Sequence, residues 1–391
     1  MKLAISRVVS LSALALPLCA QSFDDLTSFR NQPMPYSQFI QVRAGVLGSM
    51  AAEKDPTVGL DDELGVDGSV FFHDAGFANT GRDGQLDVYA GRDGLYAGLR
   101  DGNVISDTIT RIELKARLWP FYREGFYRGD NFVPTGHYDG RDYEAYIGFG
   151  REVADQLFVE FGPFYRRNQF GETDDNETYT PNYIVPADYA AYGARLFIEQ
   201  RTTQLDRRSG LPTNGFCFSV IGEREWNDSS GEFGVNPGFM AELPSAVMRA
   251  RGKLEWYIPQ STDITWEIFA SGMFLDKLDR VLEYEAQHLQ GDRWVDAQLR
   301  LRFLLSDSFS LSPFLAGQFT HIQGEGGASA DNKFFYGGGA EMWLHFSDMF
   351  SANAWYSYLN NESRPSVSIS EDLHGEHMFW AGLVARFGAK R

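Results

Sequence analysis

The chain has 391 residues, 40 glycines, 15% aromatic residues and a formal net charge of −18, a charge that disfavours a nucleic-acid-binding function. No segment beyond the N-terminus reaches about 18 consecutive uncharged apolar residues, which excludes a helical membrane protein. A glycine-rich and aromatic-rich chain of this kind is instead typical of a transmembrane β-barrel.

The N-terminus has the pattern of a secretory signal peptide. Lys2 and Arg7 form a basic start, and the apolar stretch after them is too short to span a bilayer. Ordinary cleavage after Ala20 is favoured over a lipoprotein signal at Cys19, because the residues before Cys19 fit a lipobox poorly. The predicted domains are a signal peptide at 1–20, a short periplasmic N-terminal segment at 21–36 and an outer-membrane β-barrel at 37–391.

Strict alternation of apolar and charged residues predicts barrel strands along most of the chain. In residues 111–118, for example, Ile112 and Leu114 fall on one face, and Glu113 and Lys115 fall on the other. The region 83–101 is either one long strand or two. Counted as two strands, the pattern predicts sixteen, an even number as expected for a bacterial barrel. They lie near 37–48, 65–74, 83–91, 93–101, 107–119, 141–152, 155–166, 189–201, 214–226, 246–259, 263–275, 293–306, 308–321, 333–346, 349–360 and 376–388.

The connections between the predicted strands alternate between long and short. Residues 361–375 and 322–332 are long, whereas the connections at 347–348 and at Asp307 are short. Bacterial barrels have short periplasmic turns and longer outer loops, so this alternation predicts that both termini are periplasmic. One connection on the short side, 202–213, is long and breaks the rule.

Basic residues project into the predicted lumen from alternate strand positions. A sixteen-strand barrel is wide enough for an aqueous channel unless a segment fills it. Two interpretations of the basic residues remain open: an anion-attracting strip in a pore, or cross-strand ion pairs that stiffen the wall, with Glu223 and Glu267 on neighbouring strands. The lumen-facing basic strip comprises Arg195, Arg201, Arg249, Arg251, Lys253, Arg300 and Arg302.

The long connection carries a structural turn motif. In the sequence LDRRSGLPTNGFCF, Asp206 precedes a Pro-x-x-Gly turn formed by Pro212 and Gly215. Pro212 fixes its own φ and Gly215 tolerates tight backbone geometry, so the turn is stiff. This arrangement resembles the barrel of BamA-type proteins, the superfamily of outer-membrane assembly factors and two-partner secretion transporters.

The last strand adds to this resemblance. The sequence HMFWAGLVARFGAKR, with Gly382 and Phe387, is similar to the closing strand of outer-membrane barrels. The similarity covers roughly residues 190–390. It implies an all-β, antiparallel, up-and-down transmembrane barrel of about sixteen strands in the outer membrane of a Gram-negative bacterium, with a surface-antigen-like architecture.

Two features depart from the pattern of that superfamily. The connection at 276–292 lacks the Arg-Gly-aromatic motif that folds back into the lumen in those proteins. The segment from Gln21 to Tyr36 is too short for a periplasmic docking domain, since a domain needs about 50 residues. We therefore expect a barrel without docking domains, whose role in the outer membrane is unassigned. The alternative function is a porin-like channel for passive diffusion of small solutes.

No residue pattern predicts catalysis, a cofactor or a metal site. His345 and Ser347 share a strand face, but no orienting acid is evident, so we expect that the chain is not an enzyme. Acidic residues in 168–188 could bind divalent cations shared with lipopolysaccharide phosphates, although a solvated loop is favoured. The expected partners are outer-membrane lipid, lipopolysaccharide and, during insertion, the outer-membrane assembly machinery. The oligomeric state is left open.

Overall fold

The computed structural model of the protein describes most of the barrel and part of the N-terminal segment. The predicted signal peptide lies outside the described residues. Among the residues that are described, no helix is long and apolar enough to cross a bilayer. The described ranges are 23–30, 34, 36–51, 63–77, 84–92, 94–105, 108–117, 126–128, 131–133, 138–172, 183–185, 187–206, 211–228, 231–235, 239–242, 244–276, 291–322, 331–360 and 376–390.

Sixteen antiparallel strands form a closed up-and-down barrel, which confirms the predicted fold class. Each strand pairs with its neighbours in the sequence. The region 83–101 contains two strands rather than one. The barrel strands are β1 (Gln38–Ala51), β2 (Glu63–Asp74), β3 (Gln85–Gly91), β4 (Gly94–Ile105), β5 (Thr108–Arg117), β6 (Tyr138–Ala154), β7 (Leu157–Glu172), β8 (Tyr189–Arg201), β9 (Pro212–Asn227), β10 (Ala246–Pro259), β11 (Ile264–Leu275), β12 (Gly291–Ser306), β13 (Phe309–Ile322), β14 (Asp331–His345), β15 (Phe350–Leu359) and β16 (Glu376–Lys390).

The barrel closes between its first and last strands. Strand β1 pairs with β16 over 13 residue pairs, from Gln38 opposite Lys390 to Ala51 opposite Glu376, with one irregularity near Gln38. On the inner side of this seam the side chain of Trp380 is buried, and its indole N–H donates to Asp67 Oδ2 at 3.1 Å. The seam is therefore continuous along both strands and is also packed on its inner side.

Short elements outside the barrel strands lie at its two ends. A helix, α1, spans Phe23–Ser28 before β1. The pair Phe126–Arg128 and Asn131–Val133 forms a hairpin in the connection after β5. In the connections before β8 and after β9, a small three-stranded sheet comprises Tyr183–Ile184, Glu232–Val235 and Phe239–Glu242. A two-residue strand, Gln204–Leu205, pairs with the start of β9.

The alternation of exposed and buried side chains follows the predicted inward and outward faces. Leu114 on β5 is 57% exposed, whereas the neighbouring Lys115 side chain is only 8% exposed. Lys253 and Arg302 are likewise buried in the lumen. Because a shift of one residue would exchange the two faces, this burial pattern confirms the predicted register.

A charged residue on the apolar outer face should be costly. Leu254 lies near the middle of β10 and faces outward. We expect Leu254→Arg to lower the free energy of folding into lipid vesicles by about 2–4 kcal/mol, because a guanidinium at the bilayer midplane loses hydration. Urea titration of vesicle-inserted protein measures the effect. Leu254→Met, which keeps the volume and the apolar character, is the control, and equal stability of the two variants would show that this face does not contact lipid.

The start of β9 has the strained geometry that the turn motif predicts. Gly215 has a φ of +96°, a value that side-chain-bearing residues rarely adopt. A Cβ added there would lie 2.4 Å from the carbonyl oxygen of Thr202. We expect Gly215→Ala to cost about 1–3 kcal/mol of stability, from backbone strain and this clash. Gly222→Ala on the same strand is the matched control, since a Cβ there meets nothing within 4 Å, and denaturant midpoints of the two variants should differ accordingly.

Candidate functional site: a charged lumen that holds the N-terminal segment

The N-terminal segment enters the barrel. Phe23, Leu26 and Phe29 recur every third residue, and two acids occupy the first turn of α1, where the helix dipole favours them. Leu26 is 5% exposed and Phe29 is 4% exposed. The sequence predicts a short periplasmic segment at 21–36, and the structure places Leu26 to Arg30 of this segment among side chains of the barrel lumen.

Arg30 anchors this segment to the barrel wall. Its side chain is fully buried, and its Nη1 lies 2.5 Å from Glu113 Oε1 on β5, while its Nε lies 3.2 Å from Glu160 Oε1 on β7. The backbone amide of Arg30 donates to Glu199 Oε2 on β8 at 2.6 Å. Its carbonyl oxygen accepts from Arg111 Nη2 at 3.1 Å. One residue therefore bonds to strands β5, β7 and β8 through both its side chain and its backbone.

Electrostatics keep the Arg30 guanidinium charged inside the barrel. Burial alone lowers the pKa of Arg30, but the neighbouring carboxylates of Glu113 and Glu160 outweigh burial and raise this pKa above its ordinary value. A charge buried in this way is stable only while its partners are in place. The position of the N-terminal segment is thus coupled to the acids of the wall.

Aromatic side chains also contact the N-terminal segment. The Arg30 guanidinium lies 4.8 Å from the ring centre of Phe197 and 5.7 Å from that of Tyr146. Phe29 lies against two basic side chains, with Arg201 at 5.5 Å and Lys253 at 5.1 Å from its ring centre. Leu26 belongs to a buried apolar cluster with residues on β1, β2, β3 and β4: Tyr36 next to β1, Phe39, Phe71, Tyr89 and Tyr96. The segment therefore touches both the β1–β4 wall and the β5–β10 wall.

The wall beside Arg30 carries a continuous network of buried ion pairs. Arg195 on β8 bonds to Glu223 Oε1 at 2.6 Å and to Glu144 Oε1 at 2.8 Å. Arg166 on β7 joins Glu144 to Glu225, with a distance of 2.6 Å to each. On the wall, the basic members of the network are Arg111, Lys115, Arg166, Arg195 and Arg249, and the acids bonded to them or to Arg30 are Glu113, Glu144, Glu160, Glu199, Glu223 and Glu225.

Arg30 adds a buried positive charge to this network. Its guanidinium contacts Glu113 and Glu160, and these two acids also contact Arg111 and Lys115 on the wall. Each of these five side chains is at least nine-tenths buried. When charges are buried, each one needs a partner, because an uncompensated buried charge is strongly destabilising. Loss of Arg30 would therefore leave Glu113 and Glu160 with one partner fewer.

The seven basic residues predicted to line the lumen lie on its inner face but do not form one strip. Arg195 and Arg249 belong to the network described above. Arg300 Nη1 lies 2.6 Å from Glu341 on β14, and Arg302 Nη1 lies 3.0 Å from Glu267 on β11, in a separate part of the wall. Arg201 and Lys253 contact Phe29 of the N-terminal segment, and Arg251 lies half-buried on β10. Acids therefore pair with Arg195, Arg249, Arg300 and Arg302, an arrangement that favours cross-strand bracing.

The described C-terminal end of the long connection 202–213 contacts distant strands. Its residue Leu211 is 3% exposed and packs against Trp343 on β14 and Val384 on β16. The Arg302 guanidinium on β12 donates to the carbonyl oxygen of Pro212. These contacts lie across the barrel from β9, the strand to which the connection leads. The end of this connection therefore joins the start of β9 to strands on the other side of the barrel.

The predicted turn and closing-strand residues take defined structural positions. The amide of Asp206 donates to the carbonyl oxygen of Leu211 at 2.8 Å, which closes the turn before Pro212. Gly382 lies at the seam, where an added Cβ would be 2.4 Å from the carbonyl oxygen of Ala44. Phe387 pairs with Ile40 of β1, and its ring centre lies 5.9 Å from that of Phe350.

Two other reactive side chains in the described part of the chain are either buried or hydrogen-bonded to a neighbour. Cys217, on the inner face of β9, is a free cysteine with no exposed surface. His345 Nδ1 lies 2.9 Å from Ser351 Oγ, and the histidine ring stacks on Trp343. No group of three or more His, Cys, Asp or Glu residues within the described ranges is arranged to hold a metal ion. The acidic stretch 173–182 lies outside the described residues.

Comparisons of the fold place the chain among outer-membrane barrels. A structure of BamA from Haemophilus ducreyi lacking POTRA domains 1–3 matches with a TM-score of 0.51 and 13% identity, over 90% of this chain and 70% of that one. CdiB from Escherichia coli matches with a TM-score of 0.50 and 10% identity, over 92% of this chain and 64% of that one. The chain has the barrel fold of BamA and CdiB.

Another outer-membrane barrel has a lower TM-score. OmpT, an outer membrane protein of Vibrio cholerae, matches with a TM-score of 0.43 and 11% identity, over 89% of this chain and 96% of that one. No family model and no curated protein matches the sequence. This chain spans less than two thirds of the length of the CdiB chain. The resemblance to the BamA-type barrel is thus confirmed at the level of the fold.

Sequence reasoning did not find the N-terminal segment as part of the site. The three-residue spacing of Phe23, Leu26 and Phe29 was the available signal, because a helix with one apolar face needs a surface to cover it. The single basic residue after that face, Arg30, also stands out against a lumen rich in glutamate. Neither signal identifies the surface, since that depends on strands far away in the sequence.

Proposed function

We propose that the protein is an integral outer-membrane barrel of the BamA-like fold whose lumen is held closed at rest by its own N-terminal segment. The observation that carries this proposal is the buried bonding of Arg30 to Glu113, Glu160 and Glu199. The 202–213 connection, which packs onto Trp343, supports closure from the same end. The resting barrel then maintains the permeability barrier and conducts only when the segment is displaced.

A porin-like channel for passive diffusion is the second candidate, and the site favours it less. An open diffusion pore needs a water-filled passage, whereas the N-terminal segment spans from the β1–β4 wall to the β8–β10 wall. The paired state of Arg195, Arg249, Arg300 and Arg302 supports wall stiffening rather than a free anion-attracting strip. The continuous pairing of β1 with β16 also leaves no lateral opening in the described part of the barrel wall.

We also propose an orientation for the barrel in the outer membrane. Both termini face the periplasm, and the strand ends that are remote from the termini face the cell exterior. The exposed apolar outer face contacts outer-membrane lipid and lipopolysaccharide, and the assembly machinery of the outer membrane inserts the chain. The proposal assigns no catalytic activity, cofactor or metal to the protein, and its client or solute is left unassigned.

Conductance of the purified protein in a planar lipid bilayer tests this function. The full mature chain should insert and remain electrically silent at low voltage, with only rare openings. Heat-modifiable migration on gels confirms that the inserted protein is folded. A steady, open conductance in most insertions would contradict the closed resting state and favour the porin-like alternative.

A further inference from the structure

Exposed arginines stand on the outer, lipid-facing side of the barrel near the ends of the strands that are remote from the termini. Arg141 on β6 and Arg167 on β7 both point outward and are exposed. In the antiparallel pair β6–β7, Arg167 lies opposite Tyr143, and Arg141 lies opposite Gln169. The two arginines are therefore diagonal neighbours on one face, within reach of a shared ligand.

A third arginine extends this patch across the next two strands. Arg224 on β9 also faces outward, and its side chain is 42% exposed. Its Nη1 lies 3.2 Å from Asp276 Oδ2, and its guanidinium lies 5.8 Å from the ring centre of Trp226. One acid thus balances part of the positive charge, whereas Arg141 and Arg167 have no ion-pair partner within the described ranges.

Aromatic residues fix the depth of the patch in the membrane. Tyr165 on β7, Tyr192 on β8 and Trp226 on β9 lie side by side in one row, and their exposed fractions are 50%, 64% and 42%. The rings of Tyr192 and Trp226 stack with centres 6.1 Å apart. Exposed Tyr and Trp on a barrel exterior mark the boundary between hydrocarbon and headgroups. Arg167 lies beyond this row and Arg224 lies just inside it, so both guanidiniums reach headgroup depth.

We propose that Arg141, Arg167 and Arg224 form a binding site for the phosphate groups of a phosphorylated glycolipid of the outer leaflet. Guanidinium groups bind phosphate through charge-assisted, often bidentate hydrogen bonds. Arg141 and Arg167 are exposed and have no acidic partner within the described ranges, so their guanidiniums are available to an anionic headgroup. The inference rests on the proposed orientation, which places these strand ends in the outer leaflet.

A matched arginine at the other end of the barrel gives the control. Arg151 is also on β6, also faces outward and is also exposed, but it lies near the periplasmic end of the strand. The variants Arg141→Glu/Arg167→Glu and Arg151→Glu therefore make similar surface changes at opposite membrane boundaries. Surface substitutions of this kind leave folding nearly unchanged, which heat-modifiable migration verifies.

Native mass spectrometry of the full mature chain in detergent, titrated with purified bis-phosphorylated lipid A, tests the site. The unmodified protein and Arg151→Glu should bind this lipid about tenfold more tightly than its dephosphorylated form, and Arg141→Glu/Arg167→Glu should lose that preference. Equal binding of the dephosphorylated lipid, or the same loss in Arg151→Glu, would overturn the proposal. Binding of inorganic phosphate alone as tightly as the bis-phosphorylated lipid would overturn the assignment to a lipid. None of these outcomes alters the resting conductance, so failure here is distinct from failure of the closed-lumen function.

Discussion

Replacing Arg30 by alanine should release the N-terminal segment and open the lumen. The substitution removes one partner of Glu113 and of Glu160 and leaves their charges less compensated within the barrel. Breaking a buried ion pair from one side costs about 3–5 kcal/mol, and each 1.4 kcal/mol is a factor of about ten in an equilibrium. We therefore expect the population with a displaced segment to rise by about 100-fold to a few thousand-fold, seen as frequent channel openings in planar bilayers.

Chemical labelling of the Cys217 thiol provides a second measurement of the same opening. It has no exposed surface and lies opposite Arg201 on β8, one of the two basic residues that Phe29 contacts. A small charged maleimide should label this thiol slowly in the unmodified protein and much faster in Arg30→Ala. Arg43→Ala is the control, because Arg43 faces the lumen near Trp380 and Asp67 without contacting the N-terminal segment. Equal labelling in all three proteins would mean that Arg30 does not hold the segment.

Removing Arg195 should produce the largest loss of stability among single wall substitutions. Its guanidinium bonds to both Glu144 and Glu223, and Arg195→Met leaves both acids buried with one partner fewer. We expect the free energy of unfolding to fall by about 3–5 kcal/mol, because the desolvation of these acids remains while part of their compensation is lost. Reversible denaturant unfolding of the protein in lipid vesicles measures this change.

An exposed ion pair on the same part of the barrel is the comparison for Arg195. Arg224→Met removes the pair with Asp276, whose side chains are 42% and 25% exposed. Solvent screening limits such pairs to about 1 kcal/mol or less. If both variants lost the same small amount of stability, water would have to reach the Arg195 network, and the lumen would be open rather than closed.

Much of the barrel was predictable because its strands follow a local rule. Alternation in segments such as 111–118 and 295–303 determines which side chains face lipid and which face the lumen, independently of distant residues. The structure confirms these faces, and Gly215 has the positive φ that suits the glycine of a short local motif. Pro212 to Gly215 themselves belong to the strand β9 and not to a separate turn. Glycine at a strand start with proline three residues earlier needs no tertiary information to be recognised.

The packing of the N-terminal segment in the lumen was not predictable, because it rests on contacts between distant parts of the chain. The seven basic residues were identified with their correct faces, but their acidic partners, such as Glu341 for Arg300, lie on strands that only the closed barrel brings near. The 202–213 connection stood out by its length alone. Nothing in its own sequence indicates that Leu211 meets Trp343 and Val384 on the opposite wall.

The contact of Leu211 with Val384 also bears on the order in which the molecule folds. Val384 belongs to β16, the last strand of the barrel, so Leu211 has no complete packing surface until the C-terminal strand has joined the sheet. Contacts between residues so distant in sequence form late, after the chain entropy of the intervening strands has been lost. The contact between Leu211 and β16 consequently forms only in molecules that have completed the barrel, and an intermediate without β16 leaves Leu211 with part of its packing surface missing.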